Sequence, residues 1–157
     1  MELYFVLVEP ARGENIGAAA RALNTMGFAS SLRLVRPQVD HTDGRAYWTA
    51  HGSDHVLQEA VLFDSVPEAV ADADLVIGTT ARRRGDRSVY LPLRNLADTL
   101  TSRVTPEGRV SLLFGREESG LSNQELDLCQ IVSSIPMRRS YPSLNLGQAV
   151  MVYAYEL

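Results

Sequence analysis

The sequence predicts an α/β domain built on a mostly parallel sheet flanked by helices. Leu3–Val8, Ala73–Gly78 and Val110–Phe114 are apolar runs rich in β-formers, the pattern of strands buried on both faces. Helical stretches opened by capping residues lie between such runs, so strand and helix alternate along the chain. The opening Leu3–Val35 reads as β-α-β, which calls for a parallel pair joined by a right-handed crossover.

Each element has its own warrant. Glu9–Gly17 is a loop leading into a helix whose natural cap is Asn15 and whose body, Ala18 to Leu23, is rich in helix formers. Gly27 after Met26 is the expected stop. Leu32–Val35 forms the second strand, closed by Arg36-Pro37. Asp43–Ala50 reads as a short helix, broken at Gly52-Ser53-Asp54, and Val61–Phe63 as a short strand. Asp64-Ser65-Val66-Pro67-Glu68 supplies a cap and first turn for a helix through Ala71. Ala73–Gly78 runs into a polar basic loop, Gly78–Gly85, and Pro92–Leu100 reads as a helix. After Val110–Phe114 comes the loop Gly115–Gly120, then a helix capped by Ser122 and running through Leu128. Gln130–Ile135 leads into the last segment, where Pro136 and Pro142 stiffen a loop and a strongly apolar helix begins at about Asn145. Ser143 and Asn145 are its two candidate caps. Five or six strands result.

Composition bounds the rest. The 157 residues, 45% of them hydrophobic, read as one domain, 1–157, with enough apolar material for a full core. Leu157 stops inside a helical pattern without a cap, which leaves a continuation of the natural chain open. No apolar run reaches the roughly 18 residues of a membrane span. Met1-Glu2 opens without a basic leader, so no signal peptide is read. Cys129 is the only cysteine, which excludes an internal disulfide and fits a reducing cytoplasm. With a net charge of −4 the chain has no global attraction for nucleic acid, so RNA binding would need a local patch or a partner.

In open parallel sheets ligands bind beyond the carboxyl ends of the strands. Four loops leave such ends, after Val8, Ile77, Phe114 and Ile135, and each is glycine-rich, polar or both. No G-x-G-x-x-G follows the first strand and no G-K-[ST] exists, so the usual nucleotide fingerprints are absent. Gly13, Asn15 and Gly17 would let backbone approach a phosphate-type ligand, with Arg21 one turn beyond Gly17; the alternative makes Arg21 a solvated helix charge. There is no G-x-S-x-G elbow, and Cys129 sits where a core residue would. His51 and His55 are four apart, but Gly52 argues against the helix that would align them and no third ligand is visible, so no metal site is read. Glu117 and Glu118 are adjacent and must point different ways, so at least one is a solvated loop charge. Arg82–Arg87, with Arg94, Arg138 and Arg139, is either an RNA-phosphate patch or a solubilising surface.

Three stretches carry a resemblance. Asn15–Ala22, Leu113–Leu121 and Ser143–Leu146 resemble, in order, the three motifs of the SpoU-type RNA 2′-O-ribose methyltransferases of the SPOUT superfamily. The loop opening Gly78-Thr79-Thr80-Ala81-Arg82 and the closing Ala149–Glu156 are similar to the TrmJ-like branch, which methylates an anticodon-loop ribose in tRNA. The resemblance implies a C-terminal deep trefoil knot (the SPOUT fold), S-adenosylmethionine as methyl donor, and a homodimer whose active site uses both chains. It carries donor contacts onto Thr79, Thr80, Ala81, Gly115, Ile135, Ser143, Leu144 and Asn145. Its catalytic candidates are Arg21 with Asn15, and Glu117 and Ser143 in support, with no metal. Attack of a ribose oxygen on a sulfonium methyl neutralises charge, so a dry pocket assists it. Arginine stays protonated to above about pH 12, so Arg21 is expected to orient the ribose-phosphate and stabilise the developing alkoxide rather than to accept the proton. Two departures stand out: family members often carry a helical C-terminal extension, and Met137–Pro142 here holds two arginines that the pattern does not place. The alternatives are a ribosomal-RNA ribose methyltransferase and a non-catalytic RNA- or nucleotide-binding module on the same scaffold.

Overall fold

The computed structural model describes residues 1–81, 90–139 and 141–157, so Arg82–Arg87 of the basic run lie outside the described residues. Strand β1 (Glu2–Val8) feeds helix α1 (Gly13–Thr25), which returns the chain to β2 (Leu32–Val35). Helices α2 (Gly44–Ala50) and α3 (Asp54–Gln58), strand β3 (Val61–Phe63) and helix α4 (Val66–Ala69) follow. The second half runs β4 (Leu75–Thr79), β5 (Tyr90–Pro92), a 3-10 turn (Leu93–Asn95) and α5 (Leu96–Arg103). It closes with β6 (Arg109–Phe114), α6 (Asn123–Asp127), β7 (Ile131–Ser134) and α7 (Leu146–Glu156). All seven described strands form one sheet of order β3-β2-β1-β6-β4-β7-β5, and every pairing is parallel.

The expected α/β alternation is what the chain adopts, with seven strands rather than five or six. The additional one is β5, which pairs with β7 where a helix was expected to begin at Pro92. Pro92 closes this strand at the sheet edge, where its missing N–H leaves no ladder bond unmade, and α5 starts later, at Leu96. Helix α3 was also unanticipated. His51 and Gly52, at φ 41° and 82°, turn the chain sharply and a second short helix follows the break. Helix α4 stops at Ala69 rather than Ala71, and β4 is displaced to Leu75–Thr79.

Four helix starts follow their caps. The Asp43 carboxylate accepts from the Arg45 and Ala46 N–H groups, and Ser65 Oγ accepts from the Glu68 N–H. Ser122 with Glu125, and Asn145 with Gln148, form reciprocal capping boxes, each satisfying donors that a first turn otherwise leaves orphaned. Asn145, not Ser143, is therefore the cap of α7. Asn15 does not cap α1: the helix begins at Gly13 with Arg12 in the cap position, and Asn15 is buried inside the first turn.

Alternation along the strands sends side chains to two cores. Phe5, Leu7, Leu34, Ile77, Leu112 and Phe114 pack with α1, α5 and α7 on one face. Val6, Val8, Val35, Val76 and Leu113 pack with α4 and α6 on the other. Cys129 is half-buried against this second cluster rather than within it. Arg33 is buried in β2, held by two hydrogen bonds to Asp72 of 2.6 and 2.7 Å and stacked 3.6 Å over the Tyr4 ring. A Cβ on Gly17 would stand 2.0 Å from the Ala46 carbonyl oxygen, so this glycine admits helix α2 and not a ligand.

Candidate functional site

Register brings four strand ends together. Leu7 lies opposite Phe114, Gly78 opposite Leu113, and Thr79 opposite Ser133, so the loops after β1, β6, β4 and β7 emerge side by side. They enclose a cavity of about 910 Å³ at the carboxyl edge of the sheet.

The loop after β6 forms one wall. Arg116 and Gly120 exchange backbone hydrogen bonds of 3.3 and 2.9 Å, closing the loop on itself, with Gly120 at φ 69°. Gly115 makes this closure possible, because a Cβ there would stand 2.1 Å from the Gly120 carbonyl carbon and 2.2 Å from the Leu121 nitrogen. The Arg116 guanidinium then ties three elements together. Its Nε meets Glu9 at 2.5 Å, and its terminal nitrogens meet Glu125 at 3.1 and 3.0 Å. The hydrogen bond from Arg116 holds the Glu9 carboxyl below the usual range. Burial pushes Glu125 upward, but Arg116 and the Ser122 N–H outweigh it and the net shift is downward.

A relay of amides joins the floor of the site. The Glu117 carboxylate accepts from the Ala11 N–H at 3.2 and 3.1 Å and from Asn15 Nδ2 at 3.0 Å. Asn15 Oδ1 accepts from Asn145 Nδ2 at 2.7 Å, and Asn145 Oδ1 accepts from the Gly147 N–H at 2.8 Å. Asn15 is only 6% exposed, so both ends of its amide are spent on these partners, which is why it is not free to cap α1. The three stretches of the resemblance thus meet through one side chain.

On the remaining wall Thr79 Oγ1 donates to the Leu113 carbonyl at 2.8 Å, and the Thr80 N–H donates to the Ser133 carbonyl at 3.0 Å. Phe114 and Tyr153 meet edge to face at 5.4 Å between ring centres. The Tyr153 hydroxyl and Ser133 Oγ are buried near one another without meeting hydrogen-bond geometry, and burial raises the pKa of the phenol.

Every residue carried over as a donor contact, Thr79, Thr80, Ala81 and Gly115 from the central loops and Ile135, Ser143, Leu144 and Asn145 from the last, lines this cavity. Asn15, Glu117 and Glu118 line it too, with Glu118 exposed, as one of the two acids had to be. Arg21 stands apart: it is exposed on α1 and is not among the lining residues. His51 ends α2 in a left-handed turn while His55 lies in α3, so no single helix aligns them, and no group of three His, Cys, Asp or Glu among the described residues could hold a metal. No described helix is long and apolar enough to cross a membrane. Sequence reasoning missed the Arg116 clamp, although an acid directly after β1 and another at the third position of the Ser122-capped turn were legible signals for it. It also missed Arg12 and Tyr153 in the lining, and nothing in the largely apolar α7 singled out Tyr153.

The profile of the SpoU rRNA Methylase family matches residues 2–155. The chain is 45% identical over 157 residues to LasT of Escherichia coli (strain K12), described as an uncharacterized tRNA/rRNA methyltransferase, covering 100% of this chain and 68% of that one. It is 41% identical over 155 residues to the tRNA (cytidine/uridine/adenosine-2′-O-)-methyltransferase TrmJ of Pseudomonas aeruginosa (strain UCBPP-PA14), covering 97% of this chain and 58% of that one. The crystal structure of TrmJ from Z. mobilis ZM4 superposes with a TM-score of 0.89 at 39% identity, over 99% of this chain and 68% of that one. The chain therefore spans between 58% and 68% of the length of these relatives. With its motifs meeting in one cavity and the family profile covering nearly its whole length, the chain belongs to the SpoU rRNA Methylase family.

Proposed function

We propose that the protein transfers a methyl group from S-adenosylmethionine to a ribose 2′-hydroxyl of RNA, in the anticodon loop of tRNA, and works as a cytoplasmic homodimer. The observation that carries this reading is the cavity at the carboxyl edge of the sheet, where the Glu117–Asn15–Asn145 relay stands among the residues expected to hold the donor. The names of the TrmJ relatives support the tRNA ribose as acceptor.

The lining fits such a donor. The cavity of about 910 Å³ combines apolar wall from Phe114, Leu121, Leu126, Ile135 and Leu144 with the polar ends of Thr79, Thr80 and Asn145. That mixture suits an adenosine with a charged tail. When bound, the donor supplies a methyl group on a sulfonium cation. The chain's own residues then have three tasks. The Gly115–Leu121 turn and the Ser143–Asn145 turn hold the donor and keep water from its apolar side. Glu117, itself held by the Ala11 N–H, fixes Asn15 so that its amide has a single orientation. Arg21 orients the ribose-phosphate and stabilises the alkoxide; being exposed outside the cavity of its own chain, it serves the cavity of a second copy.

The test is incubation with labelled donor and total RNA, followed by nuclease mapping of the methylated ribose, which also separates tRNA from ribosomal RNA. Arg21→Ala should leave donor affinity intact and lower transfer by roughly 100-fold or more, since the interaction is made in the transition state. Arg21→Lys should rescue little, because a point charge lacks the planar fork. Transfer at the wild-type rate by Arg21→Ala would return Arg21 to the surface, and absence of any methyl transfer by the wild-type protein would sink the reading.

A further inference from the structure

A chain of net charge −4 repels a polyanion at long range, so an RNA ligand must be gripped by charge concentrated near the site. Of the two described arginines lining the cavity, Arg116 is spent on Glu9 and Glu125. Arg12 is exposed and takes part in no ion pair among the described residues. The loop between β7 and α7 adds more. Met137 and Ser143 both line the cavity, which sets the described residues between them, Arg138, Arg139, Tyr141 and Pro142, at its edge. Among these are Arg138 and Arg139, both exposed and without a carboxylate partner among the described residues, and Tyr141. At 81% exposure Tyr141 is the most exposed large hydrophobic residue described. A single exposed aromatic is ordinary. One that shares a cavity rim with uncompensated cations is not, because that pairing is what binding of single-stranded nucleic acid uses.

We infer that Arg12, Arg138, Arg139 and Tyr141 form a rim that grips an unpaired stretch of RNA, the arginines on phosphates and the Tyr141 ring stacked on a base beside the ribose presented to the cavity. This rests on the reading of the cavity as an RNA ribose methylation site. The RNA must be unpaired there because a base inside a duplex is stacked on both sides and has no face to offer Tyr141. An acidic peptide would satisfy the arginines but would leave the ring unused.

The test titrates a labelled RNA hairpin with an open loop, and the same stem closed into a full duplex, by fluorescence anisotropy across a salt series. Arg138→Ala/Arg139→Ala should flatten the slope of log affinity against log salt by about 1.4, roughly 0.7 for each single-strand phosphate contact removed. Arg12→Ala should flatten it by about 0.7. Tyr141→Ala should weaken hairpin binding roughly tenfold or more while Tyr141→Phe retains it, and duplex binding should not respond to either. Donor affinity by calorimetry should be unchanged in all of them, which shows the fold intact. Unchanged salt slopes, equal losses for Tyr141→Ala and Tyr141→Phe, or wild-type preference for the duplex would overturn the rim. So would a halved particle mass for Tyr141→Ala in light scattering, which would assign the ring to a contact between copies. The two readings fail separately. Hairpin binding with the expected slopes but no methyl transfer removes the methyltransferase reading and keeps the rim; transfer by the wild type with unaltered variants removes the rim alone.

Discussion

Two side chains concentrate the site's polar interactions, and each makes a different prediction. Asn15 gives its Nδ2 to Glu117 and its Oδ1 to Asn145, in a position only 6% exposed. Asn15→Ala strands a donor on Asn145 and leaves the Glu117 carboxylate with the Ala11 N–H alone, so about 1–3 kcal/mol of stability should be lost in urea unfolding. A cost within experimental error would show that water replaces the amide and that the relay holds nothing in place. Arg116 makes a charge prediction. Glu9 and Glu125 both sit below their ordinary value of 4.5. Their contribution is therefore complete above that value and lost as pH falls through the lowered one. Arg116→Met should cost about 2–3 kcal/mol near neutrality, somewhat under the range for a fully buried pair because the guanidinium is partly exposed. The gap to wild type should narrow as the pH falls below 4.5 and on through the lowered values of the two carboxylates, as both take up protons. A gap of constant size from neutral to acid would assign the loss to packing of the Arg116 stem instead.

Among the elements, the Gly115–Leu121 turn is the one whose backbone does the site's work. A Cβ on Gly115 would collide with backbone at 2.1 and 2.2 Å, and backbone cannot rotate away as the end of a long side chain can. Gly115→Val should therefore reopen the turn, lower the melting temperature, and weaken S-adenosylmethionine by roughly tenfold or more in calorimetry, through the shape of the loop more than by filling the cavity. Unchanged donor affinity would remove this turn from the donor site. The turn also shows why some of the site was legible beforehand and some was not. Apolar strands ending in glycine-rich or polar loops are written in local pattern, and so are Ser122 and Asn145 as caps, because cap chemistry acts within a few residues. Asn15 looked like a cap for the same local reason. Its real partners, Glu117 and Asn145, lie 102 and 130 residues away, and no local pattern reports them. β5 was missed because three residues paired only at a sheet edge carry almost no periodic signal.

At the scale of the whole molecule, α7 and Arg21 pose a single question. Leu146, Val150, Tyr153 and Ala154 of α7 are buried in the chain's own core, yet Ala149, Met151 and Val152 are only partly covered and Tyr155 is 75% exposed. A helix apolar nearly all round is expected to be covered on more than one side. Helix α1 packs beside α7 and carries Arg21, exposed and outside its own chain's cavity. A second copy docked across these two helices would cover the open side of α7 and could carry Arg21 toward the cavity that lacks it. The expected outcome is a particle of twice the chain mass in light scattering at micromolar concentration. Tyr155→Glu should shift it toward the single mass, because an uncompensated carboxylate is costly in a dry interface. Mixing supplies the decisive arm. Arg21→Ala alone and Ser143→Ala alone should each transfer methyl groups poorly, whereas a mixture allowed to exchange subunits should recover part of the activity. Recovery is expected because a mixed pair holds one cavity with an intact Ser143 facing an intact Arg21. If instead each chain used its own Arg21, every mixed pair would hold two damaged sites. The mixture would then stay as inactive as its components, and the shared site would be ruled out even if the dimer itself were found.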